Sequence, residues 1–178
     1  MITDLLHRPI RAAATRHGLA PAIVAATVHV ESGGRRHAWR PEPAYRYLVD
    51  CRTGKPFRTL TAAEQVSEIP PKDFPFLGDS RAAEWWGQQA SWGLMQVVGG
   101  PARERGFRGT DFPELCEIEL GLEYGCAQLA WFVKRYGPGL DSNAAFNAGS
   151  PRRVAGGAYE NQEYVDRITA ALRLYQGV

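Results

Sequence analysis

Cysteine is scarce in this chain. Its 178 residues hold three, Cys51, Cys116 and Cys126, and no two of them form a CxxC pair. An odd, sparse set argues against a disulfide scaffold and suits reduced, buried thiols. The four histidines, His7, His17, His29 and His37, are scattered, and there is no HExxH. His29-Val30-Glu31 matches the HxE half of a zinc-deaminase pattern, but the PCxxC half is missing, which sets that reading aside. The net charge is only +2, too small to argue for nucleic acid. No apolar run is long enough to span a membrane, so membrane insertion is not expected. The opening MITDLLHRPIR lacks the basic-then-apolar order of an export signal. There is no internal repeat and no low-complexity tract. What remains is ordinary globular composition, 44% hydrophobic and 22% charged, at a length that suits one domain with one substantial core. A monomer is the expectation.

Helical signals dominate both ends of the chain. Residues 3–17, or a shorter stretch from Pro9, read as a helix with Ile10, Ala13 and Ala14 inward and Gly18 as its stop. Residues 114–135 carry the clearest long stripe, and Gly137-Pro138 ends it. Asn143 to Gly149 reads as a shorter helix capped by Asp141, Ser142 or Asn143, and Tyr164 to Tyr175 as a last one with Val165, Ile168, Ala171 and Leu172 inward. Leu94, Val97 and Val98 suggest a helical turn closed by Gly99-Gly100-Pro101. The middle differs in character. Residues 35–90 hold six of the twelve prolines, which argues for short elements and turns. Tyr45 to Val49 alternates like a strand, with Thr53-Gly54-Lys55 as a hairpin turn. Thr61-Ala62-Ala63-Glu64 is a capping-box pattern for a short helix ending by Pro70-Pro71, and Asp79-Ser80 caps another from Arg81 to Gln89. The expected fold is mainly α with a small β-hairpin in the middle.

The stretch that organises the chemistry is PAIVAATVHVESGG, residues 21–34. Pro21 suits a first helical turn. Ile23, Val24, Thr27, Val28 and Val30 recur at helical spacing, and Gly33-Gly34 supplies a stop. Glu31 follows Val28, Thr27 and Val24 by three, four and seven residues, so it shares their face. A carboxylate at the negative end of the helix dipole, beside apolar groups, is expected to have a raised pKa. That is what a proton donor near neutral pH needs. Taken alone, the pattern is better described by a C-terminal glutamate reaching round to solvent.

Three further pieces follow in order: Gly93-Leu94-Met95-Gln96, Ala145-Phe146-Asn147-Ala148-Gly149, and Tyr164 in the last helix. With Glu31-Ser32 they resemble the SLT-type lytic transglycosylases, helical relatives of goose-type lysozyme that cut peptidoglycan. The matching stretches are residues 9–34 and 91–170. The resemblance implies a single lysozyme-like catalytic domain over residues 1–178, in the α+β superfamily of that name, with an insertion or enlarged lobe at about 35–92. It implies Glu31 as the catalytic acid and base, a GLMQ turn lining the glycan groove, an AFNAG helix start facing it, and Tyr164 holding Glu31. The partner would be the glycan strand of peptidoglycan, with no metal and no cofactor. Delivery would be as a phage endolysin released by a partner protein, as a virion-associated enzyme, or as an excised domain.

The side chains suit those roles on their own chemistry. Ser32 can bond a sugar or simply cap its helix. Gln96 is donor and acceptor at once. Met95 is a polarizable wall or a core filler. Asn147 can pair with an N-acetyl group or with nearby backbone, and Tyr164 can donate its phenol to Glu31 or pack. Phe146 stands where the family has tyrosine, so one hydroxyl is lost. Tyr45, Tyr47, Trp85, Trp86 and Trp92 can stack on sugar faces or form the core of the extra lobe. A hydrolytic muramidase using Glu42 or Asp50 as second carboxylate and a non-catalytic glycan-binding or virion structural protein are the alternative readings.

Overall fold

The computed structural model describes residues 2–177. About half of the chain is helical, with eight α-helices among the described residues, beside small antiparallel sheets. The mainly α expectation is met. The chain divides into two units, residues 1–35 with 125–178, and residues 36–124.

The first unit begins with a 3₁₀ turn, Asp4–Leu6, which leads straight into α1, His7–Arg16. Ile10, Ala13 and Ala14 are fully buried, as their spacing predicts. Next comes α2, Pro21–Ser32, ended by Gly33 in the left-handed region at φ 64°. Val24, Ala25, Ala26, Thr27, Val28 and Val30 are all buried. This helix is therefore enclosed on most of its circumference, beyond a single stripe. The closing helices are α7, Leu140–Ala148, and α8, Gln162–Leu174. Ala144, Tyr159 and Val165 form a buried cluster between them, and α8 packs along α2. The Tyr175 phenol ties three distant segments together. It accepts from the Ile2 N–H at 2.9 Å and meets His29 Nδ1 at 3.1 Å.

The second unit is built from very short pieces. A three-stranded sheet runs β1 (Trp39–Pro41), β4 (Ala90–Trp92), β5 (Val97–Val98), with Trp39 opposite Trp92 and Ser91 opposite Val98. A separate hairpin pairs β2 (Val49–Asp50) with β3 (Lys55–Pro56). The helices are α3 (Ala62–Gln65), α4 (Arg81–Gln88) and α5 (Gly99–Glu104), followed by a 3₁₀ turn, Phe112–Cys116. The capping box at Thr61 and Glu64 is present, and Ser80 caps α4 through the Ala83 N–H. Two cores form, one of Leu48, Leu60, Phe74 and Trp85, the other of Val97, Ala102, Phe107, Phe112 and Leu115.

Between the cores lies Arg103, with no exposed surface. Its Nε and Nη2 donate to the two Glu84 oxygens at 2.9 and 2.7 Å, and Nη1 donates to the Phe107 and Gly109 carbonyls. Its guanidinium lies 4.7 and 4.5 Å from the Phe107 and Phe112 ring centroids. Glu84 in turn accepts from Gln88, whose amide pairs both ways with the Val49 backbone at 2.8 Å. One buried polar chain thus joins α5, α4 and the β2–β3 hairpin.

Several expectations change. Residues 94–98 are not a helical turn. Val97 and Val98 pair with β4, and Gly99-Gly100-Pro101 opens α5 rather than closing a helix. Pro101 fits there because N–H groups in a first turn have no helical acceptor. The strand read over 45–49 shrinks to Val49–Asp50, since Tyr45 N–H closes a turn onto the Glu42 carbonyl. The helix read over 114–135 is broken at Glu117, which is extended at ψ 137°, and resumes as α6, Ile118–Tyr136. Helix α7 starts at Leu140 after Gly139, so Asp141, Ser142 and Asn143 lie inside it and do not cap it. The expected insertion at 35–92 lies wholly within the second unit apart from Arg35, and that unit runs on to Tyr124.

Two outcomes follow from this packing. Arg103→Met should strand Glu84 as a buried, unpaired charge and cost about 3–5 kcal/mol. Adding Glu84→Gln should recover a large part of that in urea titrations; a double variant no more stable than the single would contradict the pairing. Burial, aided by the nearby Arg167 cation, lowers the His29 pKa below its ordinary 6.5. As pH falls, the unfolded chain takes this proton first. The stabilising contribution is therefore whole above 6.5 and is lost as pH falls through the lower folded value. Protonated Nδ1 can no longer accept from the Tyr175 O–H, so hydrogen-exchange protection of the Ile2 amide should drop over that range. Protection independent of pH would refute the linkage.

Candidate active site

Glu31 is the penultimate residue of α2 and is half-buried, at the rim of a face whose Val24, Thr27 and Val28 have no exposed surface. The spacing argument holds. The α2 terminus is held by two side chains. Ser32 is buried, its hydroxyl donating to the Val28 carbonyl at 3.1 Å and accepting from the Gly34 N–H at 3.2 Å. Those bonds give it the helix-capping role rather than the sugar-binding one. Arg167 of α8 donates through Nη2 to the Val30 carbonyl at 2.7 Å. It supplies one of the acceptors at a helix end with a cationic donor, which also suits the dipole.

One turn before Arg167 stands Tyr164, buried at the start of α8. Its phenol pKa is pushed well up, first by burial, then by the Glu31 charge and a hydrogen bond to Glu31, with Arg167 opposing. No group meets strict hydrogen-bond geometry at the phenol oxygen. The contact with Glu31 is therefore a loose one in this conformation. Its sense is clear: a phenol kept protonated beside a carboxylate is a donor waiting on an acceptor.

Phe146 and Asn147 lie near the end of α7, which Gly149 closes at φ 79°. AFNAG is thus a helix end, not the helix start expected. Phe146 is half-buried, while Asn147 is exposed and accepts through Oδ1 from Asn161 Nδ2 at 2.9 Å. Asn161 also donates to the Ala144 carbonyl. Glu31, Ser32 and Tyr164 are gathered by α2 and α8, and Asn161 links Asn147 to the start of α8.

Met95 and Gln96 belong to the second unit, where GLMQ is the four-residue loop of the β4–β5 hairpin. Gly93, at φ 69°, is irreplaceable by size as well, since a Cβ there would sit 2.2 Å from the Leu115 carbonyl oxygen. Met95 is fully buried, so it is a core filler and not an open groove wall. Gln96 is the one non-glycine at positive φ among the described residues, at 48°, a strained state that the surroundings must impose. Its Nε2 donates to the Ala38 and Gly93 carbonyls, both at 3.0 Å. Both amide hydrogens are engaged, which leaves Oε1 to act on a ligand as an acceptor.

The other candidates sort clearly. Asp50 is bound by Arg52 at 3.0 and 2.7 Å, which holds its carboxyl below the usual range. Glu42 accepts from Arg40 and from Ser91. Trp85 is core, Trp92 is half-buried and stacks on Phe112, and Tyr45 is half-buried, whereas Trp86 is 39% and Tyr47 83% exposed. Among the described residues no three His, Cys, Asp or Glu side chains stand together as metal ligands. Sequence reading missed Arg167 and Asn161, each one turn from Tyr164, a spacing that could have drawn attention to them. It also missed the Ala38 carbonyl, for which no sequence signal exists. Comparison with protein-family models, curated proteins and solved structures gives no match in any of the three.

The two tryptophans at 85 and 86 should separate cleanly. Trp85→Ala should cost about 3–5 kcal/mol, the range for a buried aromatic, and Trp86→Ala about 1 kcal/mol or less. Equal melting temperatures for the two variants would overturn the assignment of Trp85 to the core.

Proposed function

We propose that this chain is a peptidoglycan lytic transglycosylase with a lysozyme-like fold, and that Glu31 is its acid and base. The observation that carries the reading is the meeting of Glu31 and Tyr164. These are the two residues of the family resemblance with a direct chemical relation, they come from opposite ends of the sequence, and the phenol feels the carboxylate.

The chemistry balances on one side chain. Protonated Glu31 gives its proton to the oxygen bridging N-acetylmuramic acid and N-acetylglucosamine, and the C1–O bond breaks. Ionised Glu31 then takes the proton of the muramyl C6 hydroxyl as that oxygen bonds to C1, closing a 1,6-anhydro ring. The nucleophile is tethered to the reacting ring, so attack is intramolecular and gains from proximity. Tyr164, held protonated, donates to the carboxylate in its ionised stage, when a donor helps most. Gln96 offers Oε1 to a sugar hydroxyl or amide.

A muramidase would need a second carboxylate to activate water or to act as nucleophile. Asp50 is committed to Arg52, and Glu42 to Arg40. Neither carboxylate belongs to the motifs that carry the resemblance, which supports the anhydro product.

Glu31→Gln should lower cleavage of purified sacculi by a factor of at least about 10²–10⁴, the usual share of a general acid and base, with the fold intact by circular dichroism. Wild-type muropeptides should end in 1,6-anhydro-muramic acid. Reducing muramic acid carrying oxygen-18 from labelled water would show a hydrolase instead. Absence of any cleavage by the wild type would leave a glycan-binding or structural role.

A further inference from the structure

The second unit holds a cavity of about 440 Å³ in which neither Glu31 nor any residue of the family resemblance takes part. We infer that it is a binding site for an N-acetylhexosamine ring, a second glycan contact separate from the catalytic residue. The inference deepens the glycan-cleaving reading and rests on it for the choice of sugar.

The volume lies in the range of small-ligand pockets and suits one or two pyranose rings. The walls have the three surfaces such a sugar needs. The first is aromatic. Tyr45 and Tyr47 meet edge to face with centroids 5.8 Å apart. Tyr47 is 83% exposed, an unusual state for so large a ring unless something covers it. The axial C–H bonds of a pyranose pack on such faces as other apolar groups do. The second surface is apolar: Leu48, itself buried, lines the cavity and offers a place for an acetamido methyl. The third is planar and polar. Arg46, Gln65 and Glu104 all line the cavity, and flat donors and acceptors of this kind match the paired hydroxyls and the amide of an N-acetyl sugar.

The site is preformed. Arg46 is fixed by bonds to the Gln65 and Tyr45 carbonyls and to Gln89. Tyr45 is seated against the bare backbone of Gly100, where a Cβ would come within 2.9 Å of the ring. Glu104, one turn further along α5, adds to burial in raising the Tyr45 phenol pKa. The floor belongs to the β2–β3 hairpin that Gln88 holds through Val49. Rigid walls reduce the entropy lost on binding. The charged lining residues are engaged as well. Arg58 is shared by Glu64 and Asp73, Glu104 pairs with Arg105 at 3.0 Å, and Arg46 is held by the bonds just named, which suits a neutral, polar ligand.

The test uses the full chain and N-acetylglucosamine trisaccharide, followed by aromatic and methyl NMR. Saturable shifts are expected at the Tyr45 and Tyr47 rings and the Leu48 methyls. Tyr47→Ala, an exposed position, should keep the melting temperature and weaken the Kd read at Leu48 at least tenfold. Maltotriose, which lacks the acetamido group, should bind at least tenfold more weakly. No shift at these residues, an unchanged Kd in Tyr47→Ala, or equal binding of maltotriose would each overturn the assignment. Sacculus cleavage by the wild type is scored separately. Cleavage without Tyr47 shifts defeats this inference alone, and Tyr47 shifts without cleavage defeat the catalytic reading alone.

Discussion

A guanidinium with no exposed surface must find acceptors for its N–H groups inside the protein, because leaving them unpaired costs more than most single contacts return. Arg103 meets that demand with the Glu84 carboxylate and the carbonyls of Phe107 and Gly109. The consequence spreads through residues 36–124. Fixing Glu84 fixes Gln88, and Gln88 fixes the β2–β3 hairpin by bonding both ways to Val49. Strands of two or three residues and helices of four to eight cannot stand alone in water. Here a buried polar chain and two small cores take the place of length. The aromatic cavity beside Tyr47 inherits its rigidity from the same chain.

The first unit solves a different problem. Its central helix, α2, is buried on nearly every side, so its only wet or reactive groups are at its end. Apolar burial of Val24, Thr27 and Val28 sets where Glu31 stands, and α8 completes the environment by bringing both Tyr164 and Arg167 to it. A cationic donor meets the Val30 carbonyl, and a buried phenol stands near the carboxylate, its own pKa raised by burial and by the Glu31 charge.

Much of this was legible in the sequence where the determinants are local. Pro21 and Gly33 bounded α2, the capping box at Thr61 and Glu64 formed as read, Ser80 capped α4, and the buried face of α1 matched its spacing. Errors arose where pairing partners are remote. The apolar run from Leu94 to Val98 fits a helix as well as a strand, and only Ser91 and Trp92 opposite it select the strand. Helix α7 took Gly139 as its N-cap although three better-capping residues follow, a case of tertiary packing overriding local preference.

The sequence by itself determined the helical ends of the chain, the burial of the helix before Glu31, and the placing of Glu31 at its rim, because a 3.6-residue period and a glycine stop are written in adjacent residues. It also named Tyr164 as a partner, through resemblance. Only the tertiary structure decided that Ser32 and Met95 turn inward, that Gln96 spends its amide hydrogens on the carbonyls of Ala38 and Gly93, and that Arg103, beyond the expected insertion, pairs with Glu84, inside it. Those outcomes depend on which backbone carbonyls and which opposite charges arrive from elsewhere in the fold, and that information is carried by no single stretch of the chain.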